Sequence, residues 1–425
     1  MHSHRPNHVE IYLDVTGSCR SARNTGVQRV TRGIYAELAA RLPVTAICYN
    51  TVGKFYHLLG DPELEYLIAP FSRYRSPVGR PDLRGEKLPG EIRRCVRRKS
   101  FPLLPALRRG GILLVPDIFL DERAQSLPQA LRKSKCRSIA IFHDAATLRL
   151  GLLSPNMAAR FRAYVRSLAA FDQVICISEE SRSDLLRLWW QNGIANPPET
   201  MVEPWPLALL PQEILPGPER RPLKTILCVS SFESRKNHLL LLEAAEMLWS
   251  RGCEFELQLV GRSTGTLGRK VVPKIYWLRA KGRPLSWLKH VDDATLLRAY
   301  EQCYFTVYPS LAEGFGLPII ESLAHGKPCV CGRNGALGEI ATAGGCLLID
   351  QTNVGELASA MRQLLQNQET YNRLSLGARE RRFRSWSDYG NRLITYLAGQ
   401  GRTNAAAVSF PENHHHELAA AALAR

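Results

Sequence analysis

Short apolar runs rich in β-branched residues alternate along this chain with longer stretches whose apolar positions recur three and four residues apart, the periods of strand and amphipathic helix. Residues 11–15, 44–49, 111–115, 138–142 and 173–177 read as strands. Val30, Ile34, Leu38 and Leu42 mark one face of a helix, 157–170 forms another, and Ser178 caps a third that runs to 190. Prolines at 197, 198, 204, 206, 211, 216, 218 and 222 then interrupt the pattern. Proline at that density opposes helix and central strand, so this stretch reads as a linker. Beyond it the rhythm restarts: strand 225–229, loop 230–237, helix 238–249, strand 256–260, helix 294–302, strand 305–308, a helix with Pro318 in its first turn, strand 328–331, and helices 354–366, 369–383 and 389–397. Residues 262–285 read as basic and irregular, and 332–338 as a glycine-rich loop.

Strand and helix in alternation predict an α/β fold with two Rossmann-like domains. The expected division is 1–205 for an N-terminal Rossmann-like domain, 206–222 for the linker, 223–385 for a C-terminal Rossmann-like domain, 386–400 for a helix crossing back to the first, and 401–425 for a disordered tail.

Ligands of open α/β sheets bind at the carboxyl ends of strands. In the first half those ends carry the loop 16–28 with Gly26, Gln28 and Arg29, then Asp117, then His143 and Asp144. Gln28, Arg29, Asp117 and Asp144 are the acceptor-side candidates. The alternatives are a Gly26 that only shapes a turn and a His143 hydrogen-bonded into the core. In the second half the first loop holds Arg235 and Lys236, placed to neutralise a diphosphate, or else a solvated pair.

The densest chemistry lies in Tyr308-Pro-Ser-Leu-Ala-Glu313-Gly314-Phe315-Gly316-Leu317-Pro-Ile-Ile-Glu321. Loop glycines let a backbone approach a ligand closely, and amides at a helix start favour an anion such as a diphosphate. Carboxylates repel phosphate, so Glu313 and Glu321 are matched to hydroxyl groups or developing positive charge. A nucleotide-sugar offers phosphate, hydroxyls and that charge together; an ordinary βα turn is the plain alternative.

Two glutamates eight positions apart with Gly-Phe-Gly-Leu-Pro between them resemble the signature of retaining GT-B glycosyltransferases of family GT4, and the resemblance runs over 226–386. It implies two Rossmann-like domains facing a central cleft, with the donor nucleotide on the C-terminal one. Glu313 would bind the transferred sugar, Glu321 the ribose, Gly314, Phe315, Gly316 and Leu317 the diphosphate and sugar through their amides, and His290 and Val291 the base. Lys236 and Arg235 would bind the leaving diphosphate, Ser231 and Gly26 would join the donor site, and His143 would lie near the reacting carbon. Many members carry Gly-Arg where this chain has Ser230-Ser231, so Arg235 would replace the usual arginine only in part. No Asp-x-Asp of the metal-dependent type stands at a strand end, so no metal and no cofactor beyond the nucleotide-sugar co-substrate are expected. GDP and UDP are not distinguished. The loop at 25–29 resembles that of mannose-transferring members. The acceptor would be a saccharide or lipid-linked saccharide; the rival functions are epimerisation of a nucleotide-sugar and non-catalytic binding.

Composition narrows this little. Among 425 residues, 45% hydrophobic and 22% charged suit a globular chain, and no apolar run reaches membrane-spanning length. A polar start, with Glu10 and Asp14 breaking the first apolar run, lacks a secretory leader and predicts a cytoplasmic chain. Eleven cysteines read as reduced thiols, with Cys329 and Cys331 as core residues of one strand. The net charge of +17 is concentrated at 72–109, where twelve Lys or Arg face three acids. That segment suggests peripheral contact with anionic lipid, against the alternatives of a solvated loop or nucleic-acid binding.

Overall fold

The computed structural model describes residues 10–19, 25–68, 100–207, 223–263, 265–289 and 291–399. The basic segment over 72–99, most of the linker, His290 and the tail lie outside the described residues. The chain divides into two compact units. One comprises 10–143, Leu153–Pro206 and 385–399, and the other Asp144–Leu152 and Leu207–Arg384.

In the first unit β1 (Ile11–Asp14), β2 (Val44–Asn50), β3 (Phe55–Leu58), β4 (Ile112–Val115), β5 (Arg137–Phe142), β6 (Gln173–Cys176) and β7 (Glu199–Val202) form one sheet in the order β3-β2-β1-β4-β5-β6-β7. Every pairing is parallel except β2 with β3. β1 and β4 are buried throughout, as parallel strands with both faces covered must be. The helix Gly26–Ala39 buries Val30, Ile34 and Leu38, and the helix Trp386–Leu397 lies against it. β7 sits between prolines of the expected linker; as the edge strand it tolerates them.

The second unit holds β8 (Thr225–Val229), β9 (Glu256–Val260), β10 (Leu285–Leu288), β11 (Phe305–Tyr308), β12 (Cys329–Gly332) and β13 (Cys346–Ile349), in the order β10-β9-β8-β11-β12-β13 and all parallel. Strand order reverses between β8 and β11. Cys329 and Cys331 are buried in β12 as core residues.

Three expectations are corrected. The stretch 262–285 is not irregular: it contains the helix Gly265–Ala280 and β10, the helix burying Val271, Ile275 and Leu278. The loop 16–28 shrinks at both ends, to a helical turn at Thr16–Cys19 and a helix from Gly26. Much of the glycine-rich loop 332–338 is the start of the helix Gly335–Ala341. In addition, Asp144–Leu152 belongs to the second unit, because Ala146 and Leu150 bury themselves against Leu311 and Ala312.

Candidate active site in the second unit

β8 and β11 are hydrogen-bonded neighbours, so their carboxyl ends deliver the loops 230–237 and 309–316 side by side at the reversal of strand order. That is where open α/β sheets bind ligands. The loops clasp each other through backbone: the Leu311 amide donates to the Arg235 carbonyl (2.7 Å), and the Ser310 hydroxyl donates to the same oxygen (2.9 Å). A single 3₁₀ turn, Ser234–Lys236, ends at Asn237, whose φ of 56° turns the chain sharply into the next helix. Arg235 and Lys236 thereby point across at Glu313.

Glu313 is 7% exposed and accepts from both cations, from Lys236 Nζ at 2.7 Å and from the Arg235 guanidinium. The Tyr308 hydroxyl donates to Oε1 at 3.0 Å, as does the Ser310 hydroxyl, and Lys236 also donates to the Tyr308 oxygen. Burial would raise the Glu313 carboxyl, but Arg235 and Lys236 outweigh it and hold it down at about 2. Burial likewise draws Arg235 down, and Glu313 first and Asp144 next more than restore it. Lys236 is pulled below its ordinary value by burial and by the neighbouring guanidinium. The result is a buried carboxylate binding two fixed cations, one of them loosely held as a charge.

Immediately after Glu313, Gly316 caps the helix Leu317–Ala324, with Pro318 in its first turn. Gly316 has φ 131°, which disfavours any side chain, and a Cβ there would also crowd Ile340, Ile319 and Leu337 at 3.2–3.3 Å. Phe315 and Leu317 are buried on either side of it. Glu321 lies one helical turn further in and is not joined to the Glu313 cluster by any hydrogen bond described. Its Oε2 accepts from the Tyr300 hydroxyl (2.8 Å), whose ring stacks on His325 at 5.3 Å. Ser231 donates to Glu233 (2.6 Å), which in turn receives Arg235, so Ser231 joins the cluster at one remove. Val291 is half-buried against Leu227, Val260 and Leu296.

Two further groups were not read from the sequence. Tyr308 closes the strand before the loop and shares Glu313 with Lys236. Gln351 sits just beyond β13; its side-chain amide donates to the Leu311 carbonyl (3.3 Å) and its own carbonyl accepts from Asn237 (2.7 Å), tying both loops together. Tyr308 is legible as the last residue of a strand facing a cationic loop. Gln351 is legible only in three dimensions.

The candidates of the first unit form a separate set. His143 is buried; its Nε2 donates to the Pro116 carbonyl (2.6 Å), which fixes the tautomer, and its ring lies 5.3 Å from Trp205. Asp117 accepts from the Ser18 amide (3.1 Å) and the Thr31 hydroxyl (2.8 Å), and burial pushes it up to about 6. Its carboxylate orders the turn after β1. Gln28 Oε1 accepts from the Thr25 amide (3.0 Å) at the helix start, and its Nε2 reaches the Gly17 carbonyl (3.4 Å). Gly26 opens that helix and Arg29 is half-buried on it. Asp144 accepts from the Ala146 amide (2.9 Å) at the start of a short helix in the second unit.

Residues 216–381 match the family model described as "Glycosyl transferases group 1". The match falls within the second unit and covers less than half of the chain. Among curated relatives, the chain is 25% identical over 352 residues to the serotype-specific mannosyltransferase WbdA of Escherichia coli, covering 76% of this chain and 38% of the relative. It is 28% identical over 248 residues to the O-antigen chain mannosyltransferase B of Escherichia coli, covering 54% of this chain and 62% of that one. The chain thus spans less than two thirds of the length of these relatives. Among solved structures, sucrose-phosphate synthase from Thermosynechococcus elongatus superposes with TM-score 0.67 at 16% identity, over 92% of this chain and 99% of that one. Anabaena Alr3699/HepE in complex with UDP and glucose gives 0.64 at 15% identity, over 92% and 100%. At such identity the likeness is one of fold, and the fold is GT-B.

Proposed function

We propose that this glycosyltransferase moves a hexose, mannose, from a nucleotide diphosphate sugar to a saccharide or lipid-linked saccharide in surface-polysaccharide synthesis, with retention at the reacting carbon and without a divalent ion. The observation that carries the reading is the Arg235–Lys236–Glu313 cluster beside a glycine-capped helix start. Two fixed cations and a helix dipole are what a departing diphosphate needs, and they are worth most where water is excluded. Mannose follows from the names of the E. coli relatives.

In this reading the bond from the sugar C1 to the diphosphate oxygen breaks with its electron pair leaving on phosphate. The acceptor hydroxyl closes on C1 from the same face and passes its proton to the leaving phosphate oxygen. Lys236 and Arg235 neutralise the charge that builds there. Glu313 holds both cations ready, and a sugar hydroxyl reaching it takes the place of Ser310 or Tyr308 as donor. Glu321 accepts from the ribose beside Tyr300, and Val291 lies toward the base.

Full-length protein with GDP-mannose and a mannosylated acceptor is expected to release nucleoside diphosphate only when acceptor is present. Lys236→Ala is expected to cut turnover by about a hundredfold or more while the fold survives, and near-normal turnover would sink the assignment. A thermal-shift panel of GDP, UDP and ADP identifies the base, since a ligand at ~100 times its dissociation constant stabilises by about 2.7 kcal/mol.

A further inference from the structure

The helix Gly265–Ala280 connects β9 to the edge strand β10 and shows two unlike faces. Inward, Val271, Ile275 and Leu278 are fully buried in the core of the second unit. Outward, Arg269, Lys270, Tyr276, Trp277, Arg279 and Lys281 are all exposed. Two observations set that face apart from an ordinary solvated helix.

The first is aromatic. Of the eight strongly exposed large hydrophobic residues among those described, three are aromatic, and two of these are the adjacent Tyr276 (53%) and Trp277 (45%). The second is electrostatic. From 257 to 291 the chain carries eight Lys or Arg and no Asp or Glu. Glu246, from a neighbouring helix, pairs with Arg283 at 2.7 Å and approaches Lys281 at 3.6 Å, and Arg279 donates to the Leu285 carbonyl. The helix itself contributes no carboxylate.

The placement of the lysines narrows the partner. Lys274 and Lys281 lie over the Trp277 ring, 4.3 and 3.9 Å from its centroid. An indole already covered by ammonium groups is not an open platform for stacking a sugar, which argues against a carbohydrate-binding role. An indole beside long cationic stems is instead the arrangement that suits a bilayer interface: the ring settles at headgroup level and the ammonium groups reach phosphate. Among the described residues no helix is long and apolar enough to cross a membrane, so the contact is one of lying on the surface.

We propose that the outer face of helix Gly265–Ala280 docks on an anionic bilayer surface, with Tyr276 and Trp277 as interfacial anchors and Arg269, Lys270, Lys274 and Lys281 as the electrostatic contact. The proposal does not depend on the sugar transferred or on the donor site, so either can fail without the other.

The test uses the full-length protein in flotation with vesicles of pure phosphatidylcholine and vesicles containing one third phosphatidylglycerol, at low and high salt. Wild type is expected to float only with the anionic vesicles and only at low salt. Tyr276→Ser/Trp277→Ser, and separately Arg269→Glu/Lys274→Glu, are each expected to weaken the partition about tenfold or more with thermal midpoints and donor binding unchanged. Trp277→Phe supplies a gentler check: it is expected to remove most of the tryptophan quenching by brominated anionic lipid. Failure of wild type to bind anionic vesicles overturns the proposal. So does binding that survives both double substitutions, which would place the contact elsewhere on the chain. Retention of the protein by a sulfated polysaccharide without any vesicle binding would give the face to a charged polymer and equally overturn it.

Discussion

At the scale of single residues, Glu313 carries the most consequence. Four donors converge on a carboxylate that is nearly out of reach of water, and two of them are cations. Removing the carboxylate therefore takes from buried Lys236 its carboxylate partner and leaves Arg235 only the more exposed Glu233, and breaking a buried pair typically costs about 3–5 kcal/mol. Glu313→Ala is accordingly a poor probe of catalysis alone. Glu313→Gln keeps an acceptor for Tyr308 and Ser310 and is the better variant. Its pH behaviour has a definite sign. Because Glu313 titrates at about 2 in the fold against an ordinary 4.5, its contribution is fully present above pH 4.5 and is lost as the pH falls from there toward 2. Wild type should lose on the order of 2–3 kcal/mol more than Glu313→Gln across that window. Urea midpoints of both proteins at pH 5 and pH 3 measure this, and parallel pH slopes would count against the pairing. Gly316 is the complementary case, a residue defined by what it lacks, held at a φ that disfavours any side chain.

At the scale of elements, the sequence and the structure part company in instructive places. The long, strongly periodic elements were legible: the stripe Val30–Ile34–Leu38 is buried, Ser178 caps the helix it was expected to cap, and β8, β9 and β11 fall where their apolar runs lie. The strands without a counterpart in the sequence pattern, β3, β7, β10 and β13, have four residues each, too few to display a period. All four lie at or beside sheet edges or between prolines, and pairing with a neighbour rather than propensity fixes them. The helix Gly265–Ala280 was hidden by its cations and Pro273, although Val271, Ile275 and Leu278 have helical spacing. Thr25-x-x-Gln28 has the spacing of a helix start, and the Gln28 side chain accepts from the Thr25 amide there. In the candidate site, Arg235, Lys236 and Glu313 were legible because chemistry concentrated at strand ends, whereas Gln351 reaches the site from another strand. Packing between elements gives a further test. A Cβ on Gly33 would stand 2.1 Å from the Trp386 ring, so the helix Trp386–Leu397 docks on Gly26–Ala39 only because that position is glycine. Gly33→Ala should destabilise by about 1–3 kcal/mol through overpacking. In a Trp386→Ala background the same change should be neutral or stabilising by up to ~1 kcal/mol, alanine being the better helix former. Equal costs in both backgrounds, read from urea denaturation, would show that the two positions do not meet.

At the scale of the whole molecule, the path of the chain matters as much as its sheets. The covalent chain passes from one unit to the other at 143–144, 152–153, 206–207 and 384–385. The segment Asp144–Leu152 is flanked on both sides by elements of the first unit, yet Ala146 and Leu150 are packed beneath the loop that carries Glu313. Loss of order in either unit should therefore pull on the other, and scanning calorimetry is expected to give one thermal transition for the full chain; two well-separated peaks would contradict this. The same threading governs how chains of this fold can exchange parts. A recombinant crossover at 206–207, the obvious seam between two halves, would leave Ala146 and Leu150 from one parent beneath Leu311 and Ala312 from the other. Viable chimeras must carry nine residues of the first half along with the second, so the heritable module that includes the candidate site is discontinuous in the gene.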